Sequence, residues 1–184
     1  VNKIVTTQRT VSQMEKLMDR VSLNVSKMFL QVSQKESTTK ERKILEDTYV
    51  APNGKKYNTV GTINIPSIDV NYPILSETTD SLLKVSVCKF WGCNPNEVGN
   101  LCIAGHNYRN TRFFSKAINM SVGDIIEITD LSNKTLKYSV YDKFTVDPTD
   151  VSCTSQITNG KKIVTLITCT NDSKQRVVIK AQEI

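Results

Sequence analysis

The chain has 184 residues, of which 39% are hydrophobic; that is enough to bury a core without disulfide staples or metal, and it suits one domain with an appended segment. Its formal charge of +6 is unevenly placed: residues 1–58 carry 11 Lys/Arg against 6 Asp/Glu, and residues 59–184 carry 13 against 12. A nucleic-acid binder would gather basic residues and stacking aromatics on its folded module; the near-neutral C-terminal part argues against that class, and the basic arm suits a solvated helix or an anionic membrane surface.

Residues 10–36 are predicted to be helical. Val11, Met14, Met18, Val21, Val25, Met28 and Val32 recur at alternating steps of 3 and 4, the spacing of a heptad stripe. Thr10 with Gln13 resembles a capping box at its start. The stripe either packs on the main domain or serves as a stalk or self-association surface. Residues 37–58 read as a polar connector ending in the turn Ala51-Pro52-Asn53-Gly54. The expected division is therefore an N-terminal helical arm and connector over 1–58 and a main domain over 59–184. No apolar run reaches the roughly 18 residues of a membrane span, and no signal peptide is visible. The chain opens at Val1 rather than Met, so an upstream anchor to the membrane is expected to be missing from it.

From residue 59 the pattern changes to strands and turns. Abundant Val, Ile and Thr favour strands. Gly61 to Ile65 alternates apolar and polar residues before Pro66 breaks it. Ile68 to Leu75 holds a second strand, with Pro73 at an edge or bulge. Asp80 to Val87 reads as a short helix, Leu101 to Ala104 as a buried strand, and Thr111 to Ile118 as a helical turn carrying Phe113 and Phe114. Strands follow at Asp124 to Thr129, Leu136 to Val146, Ile163 to Thr168 and Val177 to Ala181. Short strands separated by turn signals imply a mainly β fold, a closed barrel or sandwich with short connecting helices.

Five cysteines are present: Cys88, Cys93, Cys102, Cys153 and Cys169. The odd number leaves at least one unpaired in a monomer. A Cys88–Cys93 disulfide is compatible with the spacing, and Cys102, in an apolar run, reads as a small buried hydrophobe. With no CxxC pair and one histidine, no zinc site is expected. Asp142, Asp147, Asp150 and Asp172 match no recognised calcium loop.

Three residues can carry chemistry. Cys169 ends the strand Thr165-Leu166-Ile167-Thr168, where the chain passes into a polar loop, so a thiol is held rigidly yet accessibly. His106, the lone histidine, likewise sits where a buried strand gives way to a polar loop, and imidazole is the natural proton shuttle near neutral pH. Arg176 follows Cys169 after one short loop. If the flanking strands are antiparallel neighbours, its guanidinium comes close to the thiol and can stabilise an oxyanion.

Taken together these segments resemble the sortase family. Thr165-Leu166-Ile167-Thr168-Cys169 is similar to its TLxTC motif, Arg176 fits its arginine, and Ala104-Gly105-His106-Asn107 is similar to its histidine strand. Gly61 to Pro66 with Val70 and Tyr72-Pro73-Ile74 resembles its first two strands. The likeness covers residues 59–184. It implies an eight-stranded β-barrel, no cofactor, and cleavage of a C-terminal LPxTG-like sorting motif. Cys169 would form a thioacyl-enzyme, His106 would move the proton, and Arg176 would hold the oxyanion. Thr168, Thr170, Ala104 and Asn107 are expected to contact substrate, with the Thr170 N–H as a second oxyanion donor. The implied partners are a sorting-signal peptide and an amine acceptor such as a peptidoglycan precursor. The implied location is the outer face of a Gram-positive cell membrane. The short segment 147–162 and the lack of Asp-Pro in 37–58 favour a class A-like or D-like member. The alternative is a non-catalytic barrel of the same fold that self-associates through residues 10–36.

Overall fold

The structure, a computed structural model, describes residues 47–184. The heptad stripe of residues 10–36 and the capping box at Thr10 lie outside the described residues. Nine strands run in chain order: β1 (Thr48–Val50), β2 (Lys56–Ile65), β3 (Val70–Leu75), β4 (Val87–Trp91), β5 (Gly99–Ala104), β6 (Ile125–Asp130), β7 (Thr135–Val146), β8 (Lys162–Cys169) and β9 (Arg176–Glu183). A single α-helical turn, α1 (Asp80–Leu83), lies between β3 and β4, and 3-10 turns occupy Pro66–Ile68, Ala117–Asn119 and Ser152–Thr154.

The strands neighbour one another in the order β1-β2-β3-β4-β5-β8-β9-β7-β6, and β6 pairs back onto β2. Strands β2 to β9 therefore close into the expected eight-stranded barrel, and β1 forms a hairpin extension of β2. Closure removes the free sheet edges that an open sheet would present. The barrel is filled by Ile63 and Ile65 of β2, Leu101 and Ile103 of β5, Ile126 and Ile128 of β6, Tyr138 and Val140 of β7, and Val164, Leu166 and Ile179 of β8 and β9. Each such side chain contributes about 1.5–3 kcal/mol on burial.

Several local expectations change. The segment read as connector carries β1 and the start of β2, because Thr48, Tyr49 and Val50 pair with Asn58, Tyr57 and Lys56 across the Pro52–Gly54 turn. The helix expected over 80–87 stops at Leu83. Thr79 caps it, accepting the Leu82 N–H at 3.2 Å, but Val87 and Cys88 are drawn into parallel pairing with Ile74 and Leu75. Thr111 to Ile118 is no helical turn as a whole. Phe113 takes φ +53° and bridges Asn107, and the helical turn lies at Ala117–Asn119. Cys88 and Cys93 are both free rather than bridged, with Cys88 buried in β4. Cys102 is fully buried, as read. Pro73 sits at neither an edge nor a bulge: β3 lies between β2 and β4, Pro73 is in register opposite Thr62 of β2, and the pairing with β4 begins at Ile74.

Gly105, directly after β5, packs so closely that an added Cβ would lie 2.5 Å from the Phe114 ring and 3.0 Å from Val87. We expect Gly105→Ala to lower the unfolding free energy by about 1–3 kcal/mol through overpacking. Urea unfolding of the variant against wild type measures it, and an unchanged midpoint would refute the close packing.

Candidate active site

Backbone pairing brings the three candidate residues together. β5 and β8 run parallel with Ala104 opposite Ile167. The pairing continues past the strand end: the Gly105 N–H donates to the Ile167 carbonyl at 3.1 Å, and the Thr168 hydroxyl donates to the Gly105 carbonyl at 2.7 Å. His106 thus emerges beside Cys169. On the other side β8 and β9 are antiparallel, and Cys169 is directly opposite Arg176. Directly opposed residues project to one face of a sheet. His106, Cys169 and Arg176 accordingly line one groove of about 350 Å³.

The loop between Cys169 and Arg176 is tightly bonded. The Thr170 N–H donates to the Gln175 carbonyl at 3.0 Å, and the Gln175 N–H donates to the Thr170 hydroxyl at 3.1 Å. Asp172 accepts from that hydroxyl at 2.6 Å and from the Lys174 N–H at 3.0 Å. The Thr170 N–H, expected as an oxyanion donor, is thus bonded within its own loop. Asn107 also has a different place from the one expected. Its side-chain amide donates to the Cys169 carbonyl at 2.9 Å and to Asn171 Oδ1 at 3.0 Å, and its oxygen accepts the Arg109 N–H at 2.9 Å. Asn107 ties the histidine loop to the cysteine strand, and neither it nor Thr170 lines the groove; Ala104 and Thr168 do. The Thr168 hydroxyl proton is committed to the Gly105 carbonyl.

The His106 ring rests against Tyr108, with centroids 5.1 Å apart and planes tilted by 34°. Its carbonyl accepts the Phe114 N–H at 3.1 Å. Burial pulls its pKa below the ordinary histidine value, the Asp80 carboxylate pulls it back up, and the Lys84 ammonium adds to the depression.

The walls were not legible in the sequence. One side is built by Leu83 and Phe90, the other by Val146, Pro148 and Val151. The second wall is seated by polar groups, of which Asn100 is buried, Lys180 half-buried and Gln156 exposed. Asn100 of β5 donates to the carbonyls of Cys153 and Ser155 at 2.9 and 3.1 Å. Gln156 pairs with the Asn100 backbone in both directions, at 2.9 and 2.8 Å. Lys180 donates to the Cys153 carbonyl and the Thr165 hydroxyl at 2.9 and 3.0 Å, and burial holds its pKa below the usual lysine value. Polar residues interrupting apolar strands, Asn100 and Lys180, were the available signal. Among the described residues no three acidic, His or Cys side chains gather to hold a metal ion, so Asp142, Asp147, Asp150 and Asp172 do not converge.

The sortase domain family matches residues 63–184. The chain belongs to the sortase family. It is 32% identical over 120 residues to sortase A of Listeria monocytogenes, an alignment that spans 65% of this chain and 53% of that protein; the chain thus spans about half the length of that relative. Among solved structures it is similar to a Clostridium perfringens sortase D5 transpeptidase, at TM-score 0.63 and 32% identity, over 69% of this chain and 79% of that one. It is also similar to a C. perfringens sortase C solved with the C-terminal cell wall sorting motif, at TM-score 0.62 and 25% identity, over 69% and 71% of the two chains.

Because His106 is the sole histidine, its ring protons report one titration. We expect an NMR midpoint below about 6.5. Asp80→Asn should lower that midpoint further and Lys84→Gln should raise it. Shifts in the opposite directions would contradict the electrostatic arrangement.

Proposed function

We propose that this sortase is a cysteine transpeptidase. It cleaves a C-terminal LPxTG-like sorting motif and transfers the upstream protein to an amine of the cell wall or of another surface protein. The observation that carries this reading is the convergence of Cys169, His106 and Arg176 in one groove. The apolar walls at Leu83, Phe90, Val146 and Val151 suit the Leu and Pro side chains of such a motif.

In the first half-reaction the Cys169 sulfur attacks the threonine carbonyl carbon, and its proton passes to His106. The carbonyl π electrons move to oxygen, and the Arg176 guanidinium stabilises that oxyanion. One of its N–H groups reaches the Gln175 carbonyl at 3.3 Å, and a guanidinium has five donors, so others are left for substrate. Collapse breaks the Thr–Gly C–N bond. His106 protonates the departing glycine amine, leaving a thioester. In the second half an acceptor amine attacks the thioester carbon and gives its proton to His106. The C–S bond then breaks, and the cysteine sulfur regains that proton.

Among the described residues no helix is long and apolar enough to cross a membrane. In this reading an anchor outside them holds the barrel at the outer face of a Gram-positive membrane. The heptad stripe of residues 10–36 is then a tether or a self-association surface.

Intact-protein mass spectrometry with a set of LPxTG-type peptides tests the reading. Wild type should gain the mass of the peptide's N-terminal fragment, and Cys169→Ala should gain none. His106→Ala and Arg176→Lys should each reduce turnover by about a hundredfold or more, with weaker effects on peptide affinity. The lysine variant tests whether the planar fork matters beyond its charge. An adduct on Cys169→Ala would overturn the assignment of the nucleophile. No adduct with any peptide would favour the non-catalytic, self-associating barrel.

A further inference from the structure

A second cavity, of about 410 Å³, lies on the histidine side of the groove. One wall is the β1–β2 hairpin, at Tyr49 and Ala51 to Asn53. The rest is Tyr72, Pro73, Lys84 to Ser86, and the corner Arg112–Phe113. Two cations line it, Lys84 and Arg112, and no carboxylate does. Among the described residues the one ion pair is Lys162 with Glu183. Neither the Lys84 ammonium nor the Arg112 guanidinium has a carboxylate within reach there, Asp80 included. A concave site with two unneutralised cations is a site for an anion.

The corner is built rather than loose. Phe113, at φ +53°, has its N–H fixed by the Tyr72 hydroxyl at 2.9 Å. The Arg112 N–H donates to Asn110 Oδ1 at 2.7 Å. The guanidinium carbon lies 4.9 Å from the Phe113 ring centre and 5.5 Å from that of Tyr108. Aromatic contact of this kind occupies the flat face of an arginine and leaves the N–H edge for a ligand.

The cavity is also near the chemistry. Tyr108, against which Arg112 rests, is the ring that contacts His106 at 5.1 Å. The guanidinium is no further from the imidazole than those two spans laid end to end, which is within the reach of two or three extended residues at about 3.3–3.6 Å each. Lys84 is close enough for its charge to oppose protonation of His106.

We propose that this cavity binds an anionic group, carboxylate or phosphate, carried by the amine acceptor, and so aims its amine at the thioester beside His106. The inference rests on the transpeptidase reading, which assigns His106 the acceptor's proton. Selection then acts at two places. The groove chooses the protein to be transferred, and Lys84 with Arg112 chooses what receives it.

The test uses the full chain, an LPxTG-type peptide, and two matched amines, glycylglycine with its carboxylate and glycylglycinamide without one. Transfer is read against hydrolysis of the same acyl-enzyme, which normalises for the rate of thioester formation. Half-maximal transfer should need about tenfold less glycylglycine than glycylglycinamide, the scale of one charge-assisted hydrogen bond. Lys84→Gln/Arg112→Gln should erase the preference, and Arg112→Lys should keep part of it. Inorganic phosphate and acetate are added as competitors, and the one that suppresses the preference at lower concentration identifies the anion class. Equal use of both amines, or a preference that survives in the double variant, overturns the proposal. Binding is read separately on Cys169→Ala, where titrated phosphate or glycylglycine should move the backbone NMR signals of Phe113 and Ser86. The double substitution should abolish those shifts, and no shift in Cys169→Ala itself also overturns the proposal. Binding without any thioester in wild type would instead sink the transpeptidase reading and leave the anion site standing.

Discussion

The site depends on one arrangement of backbone hydrogen bonds, the central place of β8 between a parallel neighbour and an antiparallel one. The parallel ladder with β5 sets Ala104 beside Ile167, which fixes where the histidine loop leaves the sheet. The antiparallel ladder with β9 sets Cys169 beside Arg176. A slip of one residue in either ladder would turn a candidate side chain to the opposite face of the sheet. The register is held by burial on both faces of β8, whose Val164, Thr165, Leu166 and Thr168 are all almost fully enclosed. The same apolar packing that stabilises the barrel therefore positions the thiol.

Strand ends fray unless something holds them, and here polar side chains do so. Asn107 clamps the Cys169 carbonyl, and the Thr168 hydroxyl clamps Gly105. These bonds lie largely out of solvent, where an unmade partner costs about 1–3 kcal/mol, so the two loop entrances are locked to each other. The 170–175 loop closes on itself through Thr170 and Asp172. The two loop entrances and the 170–175 loop thus frame the groove through hydrogen bonds within the fold.

The parts of this arrangement legible in the sequence were those written by burial. An apolar run ending in Cys169, another ending just before His106, and an arginine at the start of the last strand all survive as local patterns. The short alternating strands left a barrel or a sandwich open, and the resemblance to the sortase family implied the closed eight-stranded barrel. What escaped was set by distant pairing. Only Val87 of β4 was read, as the last residue of a helix, and Cys88 to Trp91 were assigned to no element; pairing with β3 and β5 makes the strand. Residues 48–58 looked like a linker because their polar composition hides a hairpin whose partner is the chain itself. The fates of the Thr170 N–H and the Asn107 amide could not be read at all, since each is decided by acceptors placed by the fold.

The two flanks of the groove are secured by different means. On the 147–156 side the wall is held by a buried network in which Lys180, with no carboxylate within ion-pair distance among the described residues, is stabilised by a carbonyl and a hydroxyl. Desolvating an ammonium in this way is costly, and truncating Lys180 would remove one of two partners from both the Cys153 carbonyl and the Thr165 hydroxyl, the other in each case being the Asn100 side chain. On the histidine side the structure rests on stacked rings, with Tyr72, Phe113, Tyr108 and His106 in sequence and Arg112 lying against two of them. Aromatic contacts of this type are worth about 0.5–1.5 kcal/mol each and leave the charged edge of Arg112 unspent. One flank of the groove thus has its polar groups paired within the fold. The other keeps a guanidinium edge that the ring contacts do not use.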